Sequence, residues 1–218
     1  PHLPVTPGGL WVRGCLLHLL APVAVSPDLA PLHRLDRLTS GLVLFSCDRR
    51  SRGRWARALQ EKGGAEKTYT AVCEPRCDDL PRTATLEHHI ARSPDEHWRQ
   101  VVVGGRAPNS RSEIELLATS GRLALYRVRP CSGRKHQIRV QLAAAGLPIL
   151  GDPLYGTRPF HDPSDLATRM WLDAYALRIR GDCRSDGNTG AELAWRSSRE
   201  PRELLRRAEA SEPFGRRS

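Results

Sequence analysis

The chain has 218 residues, 39% of them hydrophobic, which suits one core of ordinary size or at most two small domains. Its 34 Lys and Arg against 24 Asp and Glu leave a net charge of +10, which favours polyanionic partners. Charge alone does not separate a nucleic acid from a membrane surface or a solvated tail. No run approaches the roughly 20 apolar residues of a membrane span. Cys15 to Val25 is broken by His18 and Pro22 and lacks the layout of a signal peptide. The expectation is a soluble cytoplasmic protein with no membrane partner, an organellar location requiring a longer precursor.

In chain order, Pro1 to Gly9 reads as a loop, Leu10 to Leu20 as a short helix and Pro22 to Pro31 as a turn-rich stretch. Gly41 to Phe45 has the apolar run of a buried strand. Ser51 to Lys62 reads as a helix, because Trp55, Ala58, Leu59 and Lys62 recur at helical spacing and Gly63-Gly64 follows as a stop. Lys67 to Cys73 alternates as a strand, with Tyr69, Ala71 and Cys73 on one face and Thr68, Thr70 and Val72 on the other. Thr83 to Ile90, Trp98 to Val103, Ser112 to Leu117 and Leu123 to Val128 are further strands, separated by turn-forming loops that suit an antiparallel meander. His136 to Ala145 reads as a helix ended by Gly146, and Trp171 to Ile179 as a last strand. Beyond Arg180 the composition turns to Arg, Ser, Gly and Glu. That stretch suits either a short basic helix over Glu200 to Ala210 or a disordered tail. The pattern is that of an α+β chain.

The six cysteines, Cys15, Cys47, Cys73, Cys77, Cys131 and Cys183, are scattered, and Cys73/Cys77 has no matching second pair. Zinc sites show two such clusters, so ordinary reduced thiols are the better reading. His88 and His89 are adjacent and would face opposite ways in a strand. No metal site is expected.

Four segments can carry chemistry. In His33-Arg34-Leu35-Asp36-Arg37-Leu38-Thr39-Ser40-Gly41 a carboxylate stands between two arginines just before a buried strand. Neighbouring positive charge favours an ionised carboxylate, which can act as nucleophile or general base. Taken alone, this arrangement fits a structural ion pair at a turn more readily. Lys67-Thr68-Tyr69 places a tyrosine where it could stack on a nucleobase, although a core tyrosine is the simpler reading of that segment by itself. From Cys131 to Val140, the side chains of Arg134, Lys135, His136 and Arg139 cluster at a helix N-terminus. Cations there oppose the helix dipole, which is easier to explain if a phosphate or carboxylate sits among them. Arg139, one turn after Lys135, is expected to face the same cleft. Gly146 to Gly156 is a chain of turn residues around a short apolar run, suggesting tight backbone packing and nothing catalytic.

Together these segments resemble the RluA-type family of RNA pseudouridine synthases, whose pattern is H-R-L-D-x-x-T-S-G, K-x-Y, G-R-x-H-Q-I-R-V and G-x-P-I-x-G-D-x-x-Y-G. All four occur here in that order between His33 and Gly156, and weaker likeness extends the resemblance over about residues 3 to 180. The resemblance implies a mixed, mainly antiparallel sheet with flanking helices and a central RNA-binding cleft, the pseudouridine synthase fold. It implies a catalytic domain over 1–180 that lacks the family's first strand, followed by a basic tail over 181–218. Asp36 matches the catalytic aspartate, Tyr69 the active-site tyrosine that packs on the target base, and Arg139 the basic residue paired with the aspartate. Arg34, Arg37, Lys67, Arg134, Lys135 and His136 fall in segments that line the RNA cleft. No cofactor is implied; the expected partner is RNA, either rRNA or tRNA, and the expected state is a monomer. Gln141 stands where the family usually has His, a change expected to be mild, and Asp173 where His is frequent. Two alternatives remain: a catalytically inactive RNA-binding or ribosome-assembly protein on the same fold, and a metal-dependent nucleic-acid enzyme. The second would need a ligand cluster that the sequence does not show.

Overall fold

The computed structural model describes residues 3–7, 14–61, 63–157, 169–180 and 193–211. Parts of the expected opening loop and first helix lie outside these residues, as do Cys183, 181–192 and 212–218. The chain forms two compact units, each discontinuous in sequence: Pro1–Lys67 with Ala174–Ser197, and Thr68–Asp173 with Ser198–Ser218.

The first unit contains α1 (Leu16–Leu20), a 3-10 turn (Ala21–Val23), β1 (Ala30–Pro31), β2 (Ser40–Gly41), β3 (Phe45–Ser46) and α2 (Arg49–Gln60). β1 and β3 are antiparallel, with Ala30 opposite Ser46 and Pro31 opposite Phe45. The strand expected over Gly41 to Phe45 is instead two short pieces. Gly41 has φ of +110°, and its α-carbon lies so close to the Ala174 backbone that a β-carbon would collide with it. Leu42 N then donates to Ala174 O (3.0 Å), and from Phe45 the chain pairs with β1 instead.

The helix expected from Ser51 starts at Arg49, because Asp48 caps it by accepting from Arg50 N (2.9 Å) and Ser51 N (3.1 Å). Trp55, Ala58 and Leu59 turn inward, as their spacing predicts, and join Leu32, Leu44, Leu177, Ile179 and Trp195 in the unit's core. β10 (Leu172–Ile179) contributes Leu177 and Ile179 and pairs antiparallel with β11 (Leu193–Arg196).

The second unit is built on β4 (Ala65–Cys73), β5 (Thr83–His88), β8 (Ser110–Ser120) and β9 (Leu123–Pro130), all antiparallel in the order β4-β9-β8-β5. β6 (Ile90–Arg92) and β7 (Gln100–Val102) form a separate hairpin, so the expected meander is interrupted there. The alternation in β4 does not become a wet and a dry face. Thr70, Ala71, Val72 and Cys73 are all buried.

α3 (Gln137–Ala144) is buried nearly all round, its polar residues included. Two glutamines make this tolerable. Gln141 Nε2 donates to Leu86 O (2.9 Å) while its Oε1 accepts from Ser112 Oγ (2.7 Å). Gln137 Nε2 donates to Arg111 O (3.0 Å) and Ser112 Oγ (2.9 Å), and its Oε1 accepts from Ser132 Oγ (2.8 Å) and Arg134 N (3.0 Å). Buried amides are stable only when so satisfied. The Gln141 position is therefore a polar staple between α3, β5 and β8.

α4 (Pro201–Ser211) is the basic helix that the sequence offered as one of two readings of this stretch. Leu204, Leu205 and Ala208 pack against Val72, Leu123, Leu125, Leu150 and Trp171, which makes α4 part of the second unit's core.

Candidate active site

Asp36 belongs to the first unit, and its loop is held at both ends. Thr39 N donates to Asp36 O (2.8 Å), closing a turn, and Thr39 and Ser40 are buried. On the near side, Leu32 N donates to Leu44 O (2.9 Å), while Leu44 N donates to the His33 ring at Nε2 (3.1 Å). An Nε2 that accepts an amide carries no proton, so His33 is neutral with its hydrogen on Nδ1. Burial, and then the charge of Lys67, push its pKa down to about 4. Arg34 is exposed, and Asp36 and Arg37 are half-buried. Lys67 is also half-buried, and burial lowers its pKa.

Tyr69 and Arg139 belong to the second unit. Tyr69 is half-buried in β4 opposite Val128. Arg139 is 4% exposed, and Asp152 grips it bidentately, accepting from Nε at Oδ2 (2.8 Å) and from Nη2 at Oδ1 (2.7 Å). Asp152 is itself fixed, since Oδ1 also accepts from Leu154 N (2.9 Å) and Tyr155 N (3.2 Å). The Tyr155 ring lies under the guanidinium, 5.2 Å from Cζ to centroid, with Arg99 at 5.6 Å. Tyr155 Oη accepts from Gln100 N (2.9 Å) and is hydrogen-bonded with His136 Nδ1 at 3.0 Å. Arg139 is thus held in one plane by a carboxylate and a ring.

Arg134 and Lys135 are exposed and His136 half-buried. The helical relation expected between Lys135 and Arg139 does not hold. Lys135 precedes the helix, and its neighbour His136 has φ of +54°, turning the chain before the first helical residue. One is consequently exposed and the other buried. The N-terminal turn is also less open to an anion than the sequence suggests, because the Gln137 side chain takes Arg134 N and Gln137 N donates to Arg134 O (3.1 Å).

Sequence reasoning passed over Asp152, Tyr155 and the ring of His33. A signal existed for the first: a carboxylate inside the apolar, turn-rich run from Gly146 to Gly156 must find a cation if it is buried.

A family model described as RNA pseudouridylate synthase matches residues 2–144, which include Asp36, Tyr69 and Arg139. A protein of Chloroflexus aurantiacus named an RNA pseudouridine synthase is 37% identical over 158 residues, 68% of this chain and 48% of that protein. The ribosomal large subunit pseudouridine synthase D of Escherichia coli is 32% identical over 150 residues, 68% of this chain and 44% of that one. The chain thus spans about half the length of these relatives. The structure of human RNA Pseudouridylate Synthase Domain Containing 1 superposes with a TM-score of 0.68 at 24% identity, covering 87% of this chain and 76% of that one. Human RNA Pseudouridylate Synthase Domain Containing 4 does so with 0.66 at 20%, covering 95% and 87%. These two likenesses speak for the fold, which is the α+β, mainly antiparallel one that the sequence implied. With more than half of its residues matched by the family model, the chain belongs to the RNA pseudouridylate synthase family, among its RluA-type members.

Proposed function

We propose that the protein converts uridine to pseudouridine in structured RNA, rRNA or tRNA, with Asp36 as the catalytic carboxylate. The observation that carries this reading is the buried Arg139–Asp152–Tyr155 cluster, a guanidinium fixed in place on a chain whose family model also spans Asp36 and Tyr69. A structural role alone would not require an arginine, since an apolar side chain would fill a buried position at less desolvation cost.

The reaction is an isomerisation. The bond between the glycosidic nitrogen and the anomeric carbon breaks, the free uracil turns, and its carbon 5 bonds to the anomeric carbon. The proton leaves carbon 5, and a proton returns to the ring nitrogen. No oxidant or external group is consumed. Asp36 acts on the ribose, by adding at the anomeric carbon or by drawing a proton to give a glycal. Arg139 is the basic partner that favours the charged carboxylate, and Tyr69 holds the base and assists loss of the carbon 5 proton. The uridine leaves its stack to react, as bases do in other base-modifying enzymes. Arg34, Arg37, Lys67, Arg134, Lys135 and His136 contact the RNA, the exposed Arg34, Arg134 and Lys135 through phosphates.

The test is tritium release from carbon 5 of labelled uridine, in RNA from cells lacking the gene. The wild type is expected to release tritium, and Asp36→Asn to release none while binding RNA within a few-fold of wild type. Turnover by that variant refutes the assignment. A wild type that binds RNA without turnover points to the inactive RNA-binding alternative.

A further inference from the structure

The ladder between β1 and β3 ends in an unusual way. The register pairs Ala30 with Ser46 and Pro31 with Phe45, and continuing it would oppose Leu32 and Leu44. At a hydrogen-bonded position of an antiparallel ladder, the two opposed residues exchange two backbone hydrogen bonds. Here only one is backbone to backbone, Leu32 N to Leu44 O (2.9 Å). The Leu44 amide goes to the His33 ring instead (3.1 Å). The imidazole replaces the carbonyl that would have continued the ladder, and the chain leaves the sheet at that point. Three residues later it reaches Asp36, whose carbonyl closes the turn to Thr39. The far end of the loop is pinned by Gly41 and Leu42 on the Ala174 backbone.

We propose that His33 is a positioning residue for Asp36: by accepting the Leu44 amide, its neutral ring terminates the β1–β3 ladder and sets the point from which the chain turns to present the carboxylate. This rests on Asp36 being the catalytic carboxylate. Lys67 is the charged side chain that bears on the ring, and it opposes protonation of the imidazole. The alternative is a buried histidine that merely stabilises the unit. Such a residue would alter melting temperature without separating kcat from KM.

The test compares His33→Gln with His33→Asn. Both are neutral amides, but only the longer side chain can bring an acceptor oxygen to where Nε2 stands. His33→Gln is expected to keep kcat within about threefold of wild type, whereas His33→Asn loses about 100-fold in kcat, the scale of a reacting group displaced by an ångström. KM should stay within about threefold in both, since a displaced carboxylate costs chemistry rather than RNA binding. NMR of the wild-type imidazole needs no variant to fold: Nε2 is expected to be unprotonated at neutral pH. Equal kcat for the two folded variants, or a proton on Nε2, overturns the proposal. Asp36→Asn in the same assay separates the failures. If that variant turns over, the catalytic reading is wrong. If it is dead while His33→Asn and His33→Gln are alike, only the role of His33 falls.

Discussion

Asp152 binds Arg139 through two parallel hydrogen bonds of 2.8 and 2.7 Å while its Oδ1 also caps the backbone at Leu154 and Tyr155. Removing one partner of a buried pair leaves the other charge inadequately compensated in a low dielectric. Asp152→Ala should therefore lose about 3–5 kcal/mol of stability, read from urea unfolding. Arg139→Lys keeps the charge but not the fork, because a lysine is a point donor that cannot match both carboxylate oxygens. Its expected phenotype is a folded protein with kcat lowered on the order of 100-fold and little change in RNA affinity. Wild-type turnover by Arg139→Lys would show that charge alone suffices.

Tyr155→Phe keeps the ring beneath Arg139 and Arg99 but deletes the hydroxyl. Gln100 N then loses its acceptor and His136 Nδ1 its partner. A cost of about 1 kcal/mol is expected for losing these half-buried hydrogen bonds. Weaker RNA binding should accompany it, as His136 is no longer aimed. A gel-shift titration beside a thermal melt checks both, and unchanged affinity would remove His136 from the RNA contacts.

The ring of His33 also predicts how stability varies with pH. Its pKa is about 6.5 unfolded and about 4 folded. As the pH falls below 6.5, the unfolded chain takes up a proton that the folded chain refuses. Stability therefore declines with falling pH down to about 4. In His33→Gln this contribution is absent. Urea midpoints at pH 7 and pH 5 should drop further in wild type than in the variant, and parallel drops would show that the ring is not protected.

Gln141→Leu matches the residue's bulk but removes the amide that donates to Leu86 O and accepts from Ser112 Oγ, so that the buried Ser112 hydroxyl loses its acceptor. The expected loss is about 1–3 kcal/mol, visible in the denaturation midpoint. The position lies in a helix whose residues from Gln137 to Leu142 are all buried.

The sequence is informative where periodicity or a motif carries the signal, and less so where a single side chain decides. Trp55, Ala58 and Leu59 announce α2 by spacing, yet its first residue depends on the Asp48 cap, which lies before the expected start. Gly41 to Phe45 reads as one strand because apolar content says nothing of a positive φ or of Ala174, distant in sequence. α4 is obscured because Leu204, Leu205 and Ala208 are a narrow stripe among arginines and glutamates, and the buried residues that cover it come from four distant segments. In the candidate site, Asp36, Tyr69, Arg139, Asp152, Tyr155 and His33 all stand inside motifs, which give their order in the chain but not their contacts. Asp152, Tyr155 and His33 act through partners 13, 19 and 11 residues away, which no local pattern encodes.

The segments that make up each unit have a consequence for synthesis. Residues 1–67 are joined by 174–197, and 68–173 by 198–218, so each unit waits for chain made much later. While a ribosome is still translating α4, Val72, Leu125 and Trp171 lack the leucines that cover them. The nascent chain therefore has to keep an apolar surface from aggregating until α4 has emerged. A pause in elongation between Ile179 and Pro201 would prolong that exposure, and a chaperone that shields apolar segments would be needed most in that interval.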